Sequence, residues 1–129
     1  MFLDLSGPTP QLDMEVFSHL GVSLLEQAAV YPFVIFDEIG GIELLCPEFV
    51  ASLDRLLSSD VPIIGVLKGE GPASAMVSRL GLTKEYEDAI HALRNRLSQD
   101  THTKIYHYDQ VDSHVLSSLT ARWVKEYCP

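Results

Sequence analysis

Two adjacent carboxylates, Asp37 and Glu38, follow directly on the apolar run Phe33-Val34-Ile35-Phe36. Charge at the end of a buried strand is costly to desolvate unless something uses it. There the first carboxylate can hold Mg²⁺ directly or through water, and the second can orient or deprotonate an attacking water. Gly40 and Gly41 allow a tight backbone path just beyond. A plainer reading has both acids in a solvated turn, facing water or capping a nearby helix. Pattern alone does not choose between the two.

Other reactive residue types carry less. His19, His91, His102, His107 and His114 share no spacing that would put three on one metal. Cys46 and Cys128 are far apart and outside any CxxC or Cys/His ligand spacing, so both are expected as reduced thiols. Cys46 just before Pro47 reads as a small buried neighbour of a helix cap. The segment Lys68-Gly69-Glu70-Gly71-Pro72-Ala73-Ser74 is a Gly-rich turn before a helix, but Glu70 repels phosphate and Pro72 removes an N–H donor, so a plain strand-to-helix loop is expected.

The elements that must position the acid pair follow from periodicity. Asp13 to Val30 places Met14, Phe17, Leu20, Leu24, Leu25 and Ala28 near helical spacing, with Asp13 as N-cap and Gly21 as a break between two short helices. Phe33 to Phe36 has the continuous apolar pattern of a strand buried on both faces, ending at Asp37-Glu38. Pro47 suits a first helical residue, and Phe49, Val50, Leu53, Leu56 and Leu57 form one stripe after it. Val61 to Leu67 is a second buried strand, with Pro62 near its start.

Ala73 to Leu80 reads as a short helix stopped by Gly81, and Lys84 to Ser98 as a longer one with Tyr86, Ala89, Ile90, Leu93 and Leu97 inward. Lys104 to Tyr108 reads as a third, weaker strand. Ser113 to Tyr127 reads as a closing helix that buries Val115, Leu116, Leu119, Trp123 and Val124. Strands separated by helices pair in parallel through crossovers, so the expected class is α/β, a parallel sheet with helices on both faces. Every loop that follows a strand then lies along one edge, bringing Asp37–Glu43, Lys68–Gly71 and Asp109–Asp112 together.

At 129 residues the expectation is a single α/β domain over 1–129, with 1–12 an N-terminal segment of uncertain structure. A net charge of -9, from 18 acidic against 9 basic residues, opposes binding to nucleic acid or to an anionic membrane. The N-terminus, with an early Asp4 and no basic leader, reads as cytoplasmic.

Asp37-Glu38-Ile39-Gly40, then Glu43-Leu44 and Phe49, resemble the Walker B region of the small P-loop nucleoside-triphosphatases first described from thermophiles, which reads apolar-D-E-x-G-x-x-E-L. Glu15-Val16-Phe17 through Gly21-Val22 to Leu24-Leu25 and Ala28 resembles the helix before that region, and Pro62 to Leu67 the strand after it. The resemblance runs from Asp13 to Lys68 and implies an incomplete P-loop NTPase-like three-layer sandwich. By it, Asp37 would bind the Mg²⁺ of a nucleoside triphosphate, Glu38 would act as general base or position water, Gly40 would lie in the nucleotide-side turn, and Glu43 would support that turn or the metal's outer shell.

Two departures accompany the resemblance. The sequence contains no G-x-x-x-x-G-K-S/T, whose backbone N–H groups and Lys hold the phosphates. Gly69 to Thr103 is longer than the family usually has, and Gln110-Val111-Asp112-Ser113-His114 stands where the family has Asn-Arg-Asp. A first strand, phosphate loop and helix encoded elsewhere, or lost, would account for the missing cradle. The chain would then hydrolyse ATP or GTP only when that loop is supplied, or would be a catalytically silent interaction module. In either case the sheet would expose apolar edges that invite a homo-oligomer or a protein partner.

Overall fold

The computed structural model describes residues 3–4, 11–12 and 14–128. It resolves into two compact units, Met1–His91 and Ala92–Pro129, with the boundary inside one helix.

In the first unit β1 (Leu3–Asp4) pairs antiparallel with β2 (Gln11–Leu12), a small ladder of its own. Helix α1 (Met14–Ala28) follows as one continuous helix. The break expected at Gly21 does not occur: a lone interior glycine costs only about 1 kcal/mol against alanine, and α1 packs along a second helix. Among the described side chains of that helix Leu25 is buried, while Leu20 and Leu24 are exposed. The expected Asp13 cap and the Met14 and Phe17 side chains lie outside the described residues.

Strand β3 (Val34–Ile39) runs past the expected end and takes Asp37 and Glu38 into its last half. A single 3₁₀ turn, Ile42–Leu45, then leads into α2 (Pro47–Leu57), with Cys46 as N-cap and Pro47 at the first helical position. Phe49, Leu53 and Leu56 of α2 are buried, with Val50 exposed beside them. The crossover through α2 returns the chain to β4 (Ile63–Leu67), which pairs parallel with β3.

The sheet is not buried on both faces, as the continuous apolar runs suggested. Ile35 is 62% and Val66 58% exposed. A two-stranded ribbon leaves an unpaired edge on each strand, and these side chains have no further layer over them among the described residues.

Helix α3 (Glu70–Leu80) starts three residues before the expected Ala73, with Gly69 as N-cap, and ends on Gly81 in the left-handed region. Proline is tolerated in a first turn, where N–H groups lack helical partners, and Glu70 there complements the helix dipole, so Glu-Gly-Pro opens the helix rather than preceding it. Helix α4 (Lys84–Gln99) buries Tyr86, Ile90 and Leu93, as its stripe implied.

In the second unit, after α4, the Asp100 carboxylate accepts the His102 N–H at 2.9 Å and the Thr103 hydroxyl at 2.8 Å. Those two bonds hold its carboxyl below the ordinary range. The strand expected at Lys104 to Tyr108 is absent, and that stretch is irregular. A strand needs a neighbour to take its N–H and C=O groups, and Ile105, Tyr106 and Tyr108 stay exposed rather than alternating into a core. Helix α5 (Ser113–Tyr127) is capped by Asp112, which accepts the His114 N–H at 2.7 Å. Of its expected buried side, Leu116, Leu119 and Trp123 are half-buried while Val115 and Val124 are exposed.

Candidate functional site

The parallel register sets Val34 opposite Ile63, Ile35 opposite Ile64, Phe36 opposite Gly65 and Ile39 opposite Leu67. From Phe36 to Ile39 is three steps, whereas from Gly65 to Leu67 is two, so β3 carries one extra residue at Asp37-Glu38. A bulge re-aims the side chains at its position, and here those are the two carboxylates. The last rung closes beyond it, where the Lys68 N–H donates to the Ile39 carbonyl at 2.8 Å.

The Lys68 ammonium reaches back to Glu38, with Nζ 2.7 Å from Oε1. The two ends of this ion pair differ: the Lys68 side chain is 14% exposed and that of Glu38 53%. Asp37 is exposed and has no hydrogen bond or ion pair among the described residues. The turns after β3 and β4 therefore share one rim, as a parallel sheet requires.

Just past the acids the chain turns sharply. Gly40 has φ +106°, a conformation that side chains rarely adopt. Glu43 Oε1 accepts the N–H of Gly40 at 2.9 Å and that of Gly41 at 2.8 Å, tying the turn to the start of the 3₁₀ segment. From α4 the fully buried Tyr86 donates its hydroxyl to the Gly40 carbonyl at 2.6 Å. Ile90, one helical turn on, closes over the Gly40 Cα. The N–H and C=O of Gly40 thus both have protein partners, and the turn is held from two sides.

The sequence analysis placed the Lys68 turn beside the acids but did not foresee the Lys68–Glu38 ion pair or the contact from Tyr86. Tyr86 stood in the notation of an apolar stripe, yet a buried phenol needs a partner for its hydroxyl, and that need was visible. Lys68 directly follows β4, a charge just past the end of an apolar strand.

Among the described residues no three of His, Cys, Asp and Glu converge as a metal cage. Mg²⁺ carried by a triphosphate asks less of the protein, one or two carboxylates beside waters and phosphate oxygens, and the exposed, unpaired Asp37 fits that requirement. A hollow of about 340 Å³ between α1 and the start of α2 is a different place, with Glu15 and Glu48 on its wall and no Lys or Arg to receive phosphate.

A family model described as NTPase matches residues 8–106, well over half of the chain. A nucleoside-triphosphatase THEP1 from Methanosarcina acetivorans is 30% identical over 56 residues, which are 43% of this chain and 32% of that protein. The chain thus spans about a third of the length of the curated relative it matches. No solved structure matches it. The helix-rich α/β architecture with a parallel two-stranded sheet accords with a partial P-loop NTPase-like fold. No helix among the described residues is long and apolar enough to cross a membrane.

Proposed function

The chain belongs to the NTPase family, and from that premise we propose that it is the acidic half of a nucleoside-triphosphate hydrolysis site whose phosphate cradle must come from a segment outside this sequence. The observation that carries the reading is the bulged end of β3, which presents Asp37 and Glu38 on the same rim as the Lys68 turn.

In this reading Asp37 holds the Mg²⁺ of a bound ATP or GTP. When bound, the ion neutralises charge developing on the phosphates. Glu38 orients the attacking water and accepts its proton on a carboxylate oxygen, a role worth about 10²–10⁴-fold in rate for a well-placed base. Gly40 and Glu43 shape the turn that borders the nucleotide, with Glu43 spending one oxygen on the turn's N–H groups. Tyr86 fixes the same turn from α4. In this reading the protein works in the cytoplasm.

A second reading is favoured by the exposed Ile35 and Val66: a catalytically silent module of the same ancestry whose open sheet packs on a second copy or on another protein. Titration calorimetry with Mg²⁺-ATP separates the two. The chain alone is expected to give no specific heat, because a lone acidic rim repels a polyanion and lacks the N–H groups that would hold it. Joined to a strand, phosphate loop and helix bearing G-x-x-x-x-G-K-S/T, it is expected to give a saturable heat. If the joined, folded protein also gives none, the silent module stands and the hydrolytic reading falls.

A further inference from the structure

The ion pair beside the unpaired Asp37 raises a question of occupancy. Lys68 is anchored: its backbone N–H makes the last rung of the β3–β4 ladder, and its side chain is largely withdrawn from water. An ammonium so placed requires anionic or hydrogen-bonding partners, and Glu38 meets it at charge-assisted hydrogen-bond distance. Glu38 is the more exposed partner, half in solvent and sited on a bulge. Its neighbour Asp37 is left without a cation.

We propose that Lys68 is a tethered counter-cation that satisfies Glu38 when no divalent ion is present and competes with that ion for the acid pair. The inference rests on the hydrolytic reading of Asp37 and Glu38 and adds a positioning residue to it. Two cations at one carboxylate repel each other, so the ammonium and a divalent ion cannot both sit against Glu38 at full strength. With a divalent ion at Asp37 the Lys68 contact would loosen, and Glu38 would be free to turn toward water. The charge balance stays local, since a bound dication would take the place beside the acids that the Lys68 ammonium holds without it.

The test uses Mn²⁺ as probe on the intact chain, read from paramagnetic broadening of the Asp37 and Glu38 amide signals. Lys68→Met is expected to tighten Mn²⁺ binding by about tenfold, the scale of removing one competing charge at a partly screened rim. Lys68→Arg, which keeps a cation there, is expected to bind as weakly as the parent. Should Lys68→Met not fold, the parent suffices: Mg²⁺ titration is expected to shift the Lys68 side-chain signals in step with those of Asp37. Equal Mn²⁺ affinity in all three proteins, or Lys68 signals that stay fixed while Asp37 titrates, overturns the role of Lys68 and leaves Asp37 as a metal ligand. No broadening at Asp37 or Glu38 in any of the three overturns the competition between Lys68 and a divalent ion, while the hydrolytic reading is judged on the protein joined to a phosphate loop.

Discussion

Glu38→Gln, placed in the chain joined to a phosphate loop, is expected to lower Mg²⁺-dependent turnover by about 10²–10⁴-fold while triphosphate binding changes little. The amide keeps the size and the hydrogen-bonding reach of the carboxylate but cannot accept a proton from water. The substitution also leaves the largely buried Lys68 facing a neutral partner. Some stability is lost with that charge, so the kinetic comparison belongs at a temperature where both proteins are folded. A drop in kcat with KM preserved is the expected pattern, since Glu38 acts on the water and not on the phosphates. Loss of binding with kcat intact would assign Glu38 to nucleotide affinity instead.

Gly40→Ala is expected to cost about 2–4 kcal/mol of stability. A methyl group there meets Ile90 Cδ1 at 2.6 Å and Lys68 Cβ at 3.3 Å, on a backbone at φ +106°. Ile90 is almost wholly buried and has little room to step aside. Gly81 supplies the comparison within the same chain: it too has positive φ, at +62°, but an added methyl there meets nothing within 4 Å. Gly81→Ala should therefore cost only the conformational part, about 1–2 kcal/mol. Amide exchange at Lys68, whose N–H bonds Ile39, reports the first unit and suits the Gly40 measurement. Trp123 fluorescence does not, because that residue belongs to the second unit. Equal costs at the two glycines would show that Ile90 yields freely and that the turn is not clamped from α4.

Much of the frame was legible because it rests on short-range rules. Pro47 at a helix start, the stripe through Phe49, Leu53 and Leu56, and the full span of α5 follow from capping and helical period, and each emerges within a residue or so. The errors have a common source in partners that sequence does not show. The β3 run looked like an interior strand, yet Ile35 is exposed because the sheet has only two strands. Lys104 to Tyr108 had strand composition and no ladder to join. Gly21 was read as a break, but contact with α2 carries the helix through.

The site shows the same division. The acids and the paired glycines drew notice by type and position within a few residues of chain, and Glu43 through the resemblance to the Walker B region. The bulge that places both acids was invisible, since it exists only relative to β4. So were the contacts from Lys68 and Tyr86, the latter 46 residues distant from Gly40. Long-range contacts of this kind are where a single sequence is silent and a fold is informative.

The measurement that bears most directly on the acid pair is phosphate release from ATP or GTP by the joined protein, followed with and without Mg²⁺. Release that requires Mg²⁺, absent from the chain lacking the phosphate loop, is the expected result. A joined protein that folds and binds triphosphate yet releases no phosphate, or releases it equally well in a metal chelator, would contradict a hydrolytic role for Asp37 and Glu38.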